Sequence, residues 1–334
     1  MFDPPRCPNR RCPRHREPGG RFFRRHGHYR AHCRHYPVPR FRCLSCNRTF
    51  SRQTFRADFG QRKPYLNATF LSLMVSCVGQ RQAARVLRVA RRTIEHRFDW
   101  LASHARDFHL NRLRHRFLEG PFQLDELESF ESNRYQPVTV PILIHRKTYF
   151  LVATSVAPLR RKGRLTERQR IRRLLWESMH GRRPSSSSHA VHTVMEALRR
   201  VTRRASPVSL ESDYKPAYGH VGRAVFGRYF RWRRHSADAR RDRSNGLFPI
   251  NHTNARLRHF LSRLRRRTWC VSRRRSCLKG HLDIATLWSN YCRGITNRTR
   301  TTPAEALGLV PRIYRPEEVL GWREDWGALS PAFS

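Results

Sequence analysis

Phe122-Gln123-Leu124-Asp125-Glu126-Leu127-Glu128-Ser129-Phe130 is the stretch on which the architecture turns. Its pattern approaches a period of two, the spacing of a β-strand, so Asp125 and Leu127 share one face and Glu126 and Glu128 the other. Two runs of the same texture follow, Pro137 to His145 and Lys147 to Val156, and the three together predict an antiparallel meander. The pattern then alternates: a helix over 190–204, a strand over 208–213, a helix over 215–226, a strand over 228–232 and a longer helix from Asn254. Strands interleaved with helices argue a mixed α/β domain.

The acids in this region stand out because the chain is so basic, with 69 Lys+Arg against 24 Asp+Glu and a formal charge of +45. Asp125, Glu126, Glu128 and Glu131 lie on or beside the first strand. Asp213 ends the strand Val208-Ser209-Leu210-Glu211-Ser212-Asp213, just before a helix start, where α/β folds gather their chemistry. Two Asp on neighbouring strands, aided by a third oxygen ligand, hold a pair of Mg2+ ions about 3.5 to 4 Å apart, which activate water and stabilise the leaving 3' oxygen of a phosphodiester. Spacing alone leaves a plainer account open, in which these acids pair with surplus Arg on the surface.

Upstream, residues 1–58 are crowded with Cys, His, Arg and Pro and show no helical period. Cys7 and Cys12 are separated by four residues, and Cys43 and Cys46 form a C-x-x-C. Two such turns on adjacent hairpins bring four thiolates to about 2.3 Å from a Zn2+ ion, whose closed d shell accepts the tetrahedron. Cys33, His26, His28, His32 and His35 are substitutes without a partner at knuckle spacing. The bland alternative is four free thiols in a basic arm, yet a module this poor in apolar residues needs a metal to fold. Such zinc is structural.

From Pro64 the spacing turns helical, with Leu66, Phe70, Leu73, Met74 and Cys77 on one stripe and Ala83, Ala84, Leu87, Ile94 and Phe98 after Gly79, which predicts two or three short helices. Gln80 to Leu87 and Val89 to Arg97 read as a helix-turn-helix. Arg81 and the second helix's Arg91, Arg92, Glu95 and His96 are its candidate DNA contacts. A purely structural helical hairpin has the same alanines.

The charge calls for a polyanionic partner, since self-repulsion destabilises a compact basic chain. Only five of the cations are Lys, and the Arg fork suits phosphate and guanine, although codon usage in a GC-rich genome gives the same bias. A hydrophobic share of 38%, with seven Trp and nineteen Phe, argues a folded core rather than a disordered tail. The longest apolar stretch, Phe70 to Val78, falls far short of the ~20 residues of a membrane span, and Met1 to Arg11 has no signal region. No membrane partner and a cytoplasmic, nucleoid-associated location are expected, where nine cysteines serve as metal ligands or buried thiols. Leu159 to Pro184 is dominated by Arg and reads as an exposed basic insertion or a frayed helix.

Taken in order, these segments resemble the bacterial insertion-sequence transposases with an N-terminal zinc ribbon, a helix-turn-helix and a DDE-type catalytic domain of RNase H-like fold. The matching pieces are Cys7 to Pro13 with Phe41 to Phe50, Asp125 to Phe130, Ser212-Asp213-Tyr214-Lys215-Pro216-Ala217-Tyr218, and Asn254-Ala255-Arg256-Leu257-Arg258 through to Ser272. The resemblance implies a zinc ribbon over 1–58 and a DNA-binding helix-turn-helix region over 59–118. It implies an RNase H-like mixed sheet flanked by helices over 119–300, with the basic insertion near 157–189, and a tail over 301–334. It implies strand cleavage and transfer with Mg2+ or Mn2+, acting on terminal repeats and target DNA as a homo-oligomer. Asp125 and Asp213 match the first two acids. The third lies about three residues before the Asn of the last motif, and here the phrase is Ile250-Asn251-His252-Thr253-Asn254. Asn251 thus stands where a carboxylate is expected; its amide oxygen ligates Mg2+ without adding charge. His252 and Asp242 are further candidates. The departure keeps open a second reading, a catalytically inactive transposase-derived DNA-binding protein or regulator. A polybasic RNA-binding protein explains the charge but not the paired acids.

Overall fold

The computed structural model describes residues 4–31, 36–160, 163–236, 240, 242–265 and 269–323. They fall into two compact units, Met1–Leu71 with Tyr314–Ser334, and Ser72–Ile313.

In the first unit a helical turn, α1 (Pro13–Arg16), precedes three antiparallel strands in the order β1 (Phe23–Tyr29), β2 (Val38–Cys43) and β3 (Thr49–Ser51). Phe23 pairs with Cys43 and Phe41 with Phe50. Phe22, Phe50 and Phe55 are buried around Cys7, Cys12 and Cys43. The cluster around the sulfurs is small, so a metal held there would add to its stability. The helix Pro316–Gly321 belongs to the same unit; it buries Val319 and Leu320, and beyond it Arg323 donates to the Thr54 carbonyl at 2.9 Å.

The chain continues through α2 (Leu66–Met74), α3 (Gln80–Val86) and α4 (Arg91–Leu113) into the sheet of the second unit. β4 (Phe122–Phe130), β5 (Pro137–His145) and β6 (Leu151–Thr154) form the antiparallel meander, and β7 (Ala157–Pro158) adds to β5. The third strand is shorter than the expected Lys147 to Val156, because the chain is still turning at Tyr149, which has φ +59, and the His145 N–H closes on the Phe150 carbonyl at 2.9 Å. Val138 to His145 are all buried, as in a strand covered on both faces. After α5 (Glu167–His180), which buries none of its residues and so stays an exposed basic helix, and α6 (Ser187–Arg200), β8 (Val208–Ser212) enters beside β4 and parallel to it. α7 (Pro216–Phe226) then leads to β9 (Phe230–Arg234), parallel to β8. Gly219 and Gly222 let α7 lie close on β9, since a Cβ at either would run into Trp232 or Phe230.

The result is a mixed six-stranded sheet, ordered β6-β5-β4-β8-β9 with β7 beside β5, between helices, an arrangement compatible with the RNase H-like expectation. α8 (Phe248–Phe260) and α9 (Arg275–Leu287) cover one face. Ile250, Leu257, Leu278 and Leu282 pack there on Leu127, Val138, Val140 and Ile142. α8 begins at Phe248 rather than at Asn254. Pro249 suits a first turn, where its missing N–H costs nothing, and the unpaired Ile250 N–H finds Gln123 Oε1 at 3.1 Å. α4 runs 23 residues, longer than the short helices read from the sequence, because Leu101, Ala105 and Phe108 extend its buried stripe. His109 on its last turns meets the Tyr291 hydroxyl and the Val152 carbonyl, each at 3.1 Å. No described helix is long and apolar enough to cross a membrane.

Candidate functional site

In the first unit the Sγ atoms of Cys7, Cys12, Cys43 and Cys46 all lie within 4.8 Å of one another. Cys7 and Cys46 are 3.5 Å apart and Cys12 and Cys43 3.9 Å. A tetrahedron with Zn–S bonds of about 2.3 Å has edges of about 3.8 Å, and the two pairs at 3.5 and 3.9 Å are close to that, so the four sulfurs could hold zinc. Backbone turns aim the sulfurs: the Cys12 N–H donates to the Asn9 carbonyl at 2.9 Å, and the Asn47 N–H to the Cys43 carbonyl at 3.1 Å, with Asn47 at φ +60. Burial pushes the Cys7 and Cys12 thiols up. Burial also raises Cys46, but hydrogen bonds from the Arg48 backbone, Asn9 and the other sulfurs outweigh it and bring that thiol to about 7. His26 and His28 stay outside the cage, His28 bonding Arg25 at 2.7 Å. His32, Cys33 and His35 lie outside the described residues.

In the second unit Asp125 lies on β4 opposite Ile142 of β5. The parallel register pairs Phe122 with Leu210 and Gln123 with Glu211. The ladder ends there, with Asp125 two residues further along β4 and Asp213 two residues further along its own chain, just past the end of β8. α8 runs over β4 in the same direction. Gln123 Oε1 accepts the Ile250 N–H, and Asp125 Oδ2 accepts Asn254 Nδ2 at 2.6 Å. Four helical residues rise about 6 Å and two strand residues about 6.6 Å, so these two contacts step together along the sheet. Asp125 Oδ1 also takes the Glu126 N–H at 2.7 Å, and Asp213 Oδ1 the Lys215 N–H at 3.1 Å. Tyr218 reports how near the acids are: its hydroxyl is pushed up by burial first and then by the charges of Glu126, Asp125 and Asp213.

Asn251 sits in the first turn of α8, half-buried, and its amide makes no hydrogen bond to a described residue. His252 stacks on Phe248 and meets Tyr149 edge-on, and is held below its ordinary pKa by burial, then by Arg256 and Arg293. Asp242 is exposed and accepts the Ser244 N–H at 2.9 Å. Neither makes a hydrogen bond to Asp125 or Asp213. Beyond the four cysteines, no three Asp, Glu, His or Cys side chains converge among the described residues. The all-oxygen donor set, with Asp213 Oδ2 free of hydrogen bonds, suits a hard divalent cation.

Sequence reasoning missed the residues that hold this arrangement. Glu126, on the other face of β4, accepts from Thr139 Oγ1 at 2.7 Å, Ser187 Oγ at 2.8 Å and the Tyr218 hydroxyl at 3.1 Å, and pairs with Lys215 Nζ. Lys215 Nζ also donates to Ser187 Oγ at 2.8 Å. The loop after Asp213 is thereby fastened to the strand of Asp125. The signal lay in the quoted segment, where Lys215 and Tyr218 follow Asp213 closely, but nothing local told that Glu126 is buried. Glu211 and Glu131 do pair with Arg, Glu211 with Arg146 at 3.1 Å and Glu131 with Arg183 at 2.7 Å, but both carboxylates lie largely out of water rather than on the surface.

On the helices, buried Ala83 and Ala84 bring α3 close to α4 across a turn where Arg88 takes φ +50. Arg81, Arg91, Arg92 and His96 are exposed and Glu95 is half-buried. Arg91 pairs with Glu95 at 2.8 Å, and Arg92 donates to His96 at 3.3 Å.

No family model matches the chain, and no curated protein matches it. Among solved structures, it is similar to a chain of the simian T-cell lymphotropic virus intasome in complex with PP2A regulatory subunit B56 gamma, at 14% identity over 74% of each chain with a TM-score of 0.30. It is also similar to a chain of a pre-cleavage Mos1 transpososome, at 11% identity over 67% of this chain and 77% of that one, with a TM-score of 0.19. Superpositions this loose carry no argument about function.

Proposed function

We propose that the chain is a DDE-type DNA transposase, with a zinc ribbon over 1–58, a helix-turn-helix region over 59–118, a catalytic domain over 119–300 and a tail from 301. The observation that carries the reading is that β4 and β8 lie side by side and parallel, with Asp125 and Asp213 each two residues beyond their last pair and Asp125 held by Asn254 of α8. Asp125, Asp213 and Asn251 would hold Mg2+ or Mn2+, which supply an activated water and stabilise the leaving 3' oxygen. Asn254 fixes the Asp125 carboxylate, and the Lys215 N–H orients that of Asp213. Asn251 contributes a neutral oxygen, so the site carries one negative charge fewer than a three-acid site. Cys7, Cys12, Cys43 and Cys46 hold a structural Zn2+. Arg81, Arg91, Arg92, Glu95 and His96 face DNA, and the basic surface engages phosphates without sequence preference, each neutralised phosphate adding ~0.9 to the log–log salt slope. The chain works as a homo-oligomer on paired element ends.

Asn251 favours a second reading, a transposase-derived protein that binds DNA without cutting it. The two part in a nicking assay on a labelled duplex carrying the ends that flank the gene, with Mg2+ or Mn2+. Metal-dependent cuts that vanish in Asp125→Ala and Asp213→Ala, with DNA binding intact, support the transposase. Tight binding without cutting under either metal sinks it in favour of the regulator.

A further inference from the structure

α3, the first turns of α4, residues 262–263 and residues 269–281 line an open cleft of about 1120 Å³, and neither Asp125 nor Asp213 lines it. Small-molecule pockets run to roughly 300 to 1,000 Å³, so the cleft is already at the scale of a larger ligand. Trp269 lines it with its side chain 100% exposed, an indole with both faces in water. Arg81, Arg273 and Arg274 line it too, are exposed, and have no ion-pair partner among the described residues. Arg91, beside them, is engaged by Glu95.

A second, independent observation comes from a buried wall of the cleft. His281 is 1% exposed and gives its Nε2 hydrogen to the Met74 carbonyl at 2.7 Å. Burial, then the charge of Arg263, holds this ring at a pKa of about 4, so it is neutral and Nδ1 is an acceptor. That Nδ1 is buried and has no partner. An orphaned buried acceptor costs about 1 to 3 kcal/mol until a donor meets it.

A flat aromatic face and unpaired guanidinium forks match a base and its phosphates, and the unpartnered His281 Nδ1 lies in the wall behind them. Within a duplex the faces of a base are covered by its neighbours, so stacking on Trp269 requires a base that has left the stack. We propose that this cleft takes one unpaired nucleotide of a DNA strand, with its base on Trp269 and its phosphates on Arg81, Arg273 and Arg274. The proposal rests on the reading of the chain as a DNA-binding protein and adds that the bound DNA is locally opened.

The test titrates wild-type, Trp269→Ala and Trp269→Phe full-length protein by fluorescence anisotropy against two labelled DNAs of equal length at one salt concentration, a single strand and a blunt duplex. Trp269 is fully exposed, so neither change threatens the fold. Trp269→Ala is expected to weaken single-strand binding about tenfold, the scale of one lost base stack, and to leave duplex binding within about twofold. Trp269→Phe should keep most of the single-strand affinity. Equal losses on both probes, or no loss on either, overturn the cleft assignment while leaving DNA binding in place. Wild-type protein that binds neither probe overturns the DNA-binding reading and the cleft with it.

Discussion

Replacing Lys215 by Met leaves a carboxylate in the interior without its counter-charge. The Glu126 side chain is 7% exposed, so its charge cannot be relieved by bulk water, and Thr139, Ser187 and Tyr218 remain as its donors. Breaking a buried pair from one side costs about 3 to 5 kcal/mol. Lys215 is itself 37% exposed, so screening and water entry reduce this to about 1 to 3 kcal/mol. Glu126→Gln is the gentler change. Its amide oxygen still accepts from Thr139 and Ser187, and Lys215 turns to solvent, for a cost of about 1 kcal/mol. The double variant has no buried charge left, so it should cost little more than Glu126→Gln alone, a non-additivity of about 1 to 2 kcal/mol. Urea unfolding followed by circular dichroism measures all three. If Glu126→Gln destabilises as much as Lys215→Met, or the two effects simply add, the pair is an ordinary surface bridge. Because the Lys215 ammonium fastens the loop after Asp213 to Glu126 of β4, Lys215→Met should slow nicking at unchanged DNA affinity.

His109 and His281 are held by burial at a pKa of about 4, against about 6.5 in an unfolded chain. Between these values the unfolded state binds protons that the folded state refuses, so stability is full above about pH 7 and falls as pH drops towards 4, by about 3 kcal/mol per histidine. A flat urea-stability profile over that range would refute this, and His109→Gln should remove about half of the slope. Zinc chelation, or Cys43→Ser, is expected to remove one Zn2+ per chain by elemental analysis and to melt the first unit while the second keeps its transition. Retained zinc in Cys43→Ser contradicts the cage. Gly222→Ala drives a methyl into Phe230 and should cost about 1 to 3 kcal/mol in urea unfolding, and an unchanged midpoint would mean that α7 does not lie this close. Asn251→Asp adds a charge of about 1 kcal/mol or more towards a divalent ion, and should lower the Mg2+ needed for half-maximal nicking at least about fivefold. No change would place Asn251 outside the ligand set.

The sequence by itself determined what is local. Cysteine spacing singled out Cys7, Cys12, Cys43 and Cys46, because knuckle turns are written in four to six residues, and the period of two marked β4 and β5, because side-chain alternation is a property of a strand alone. The charge of +45 needed no structure at all. Tertiary structure decided what depends on distant partners. Only the tertiary fold pairs β4 with β8, the strands that lead into Asp125 and Asp213, since register follows from which faces can be buried together. The start of α8 at Phe248 depends on Gln123, 127 residues away, and periodicity read from Asn254 onward could not anticipate it. Glu126 looked like one of four acids in an exposed run. It became a buried hub because α6, α7 and β5 bring Ser187, Lys215, Tyr218 and Thr139 to it, and burial is fixed by the neighbours that packing supplies rather than by the residue itself.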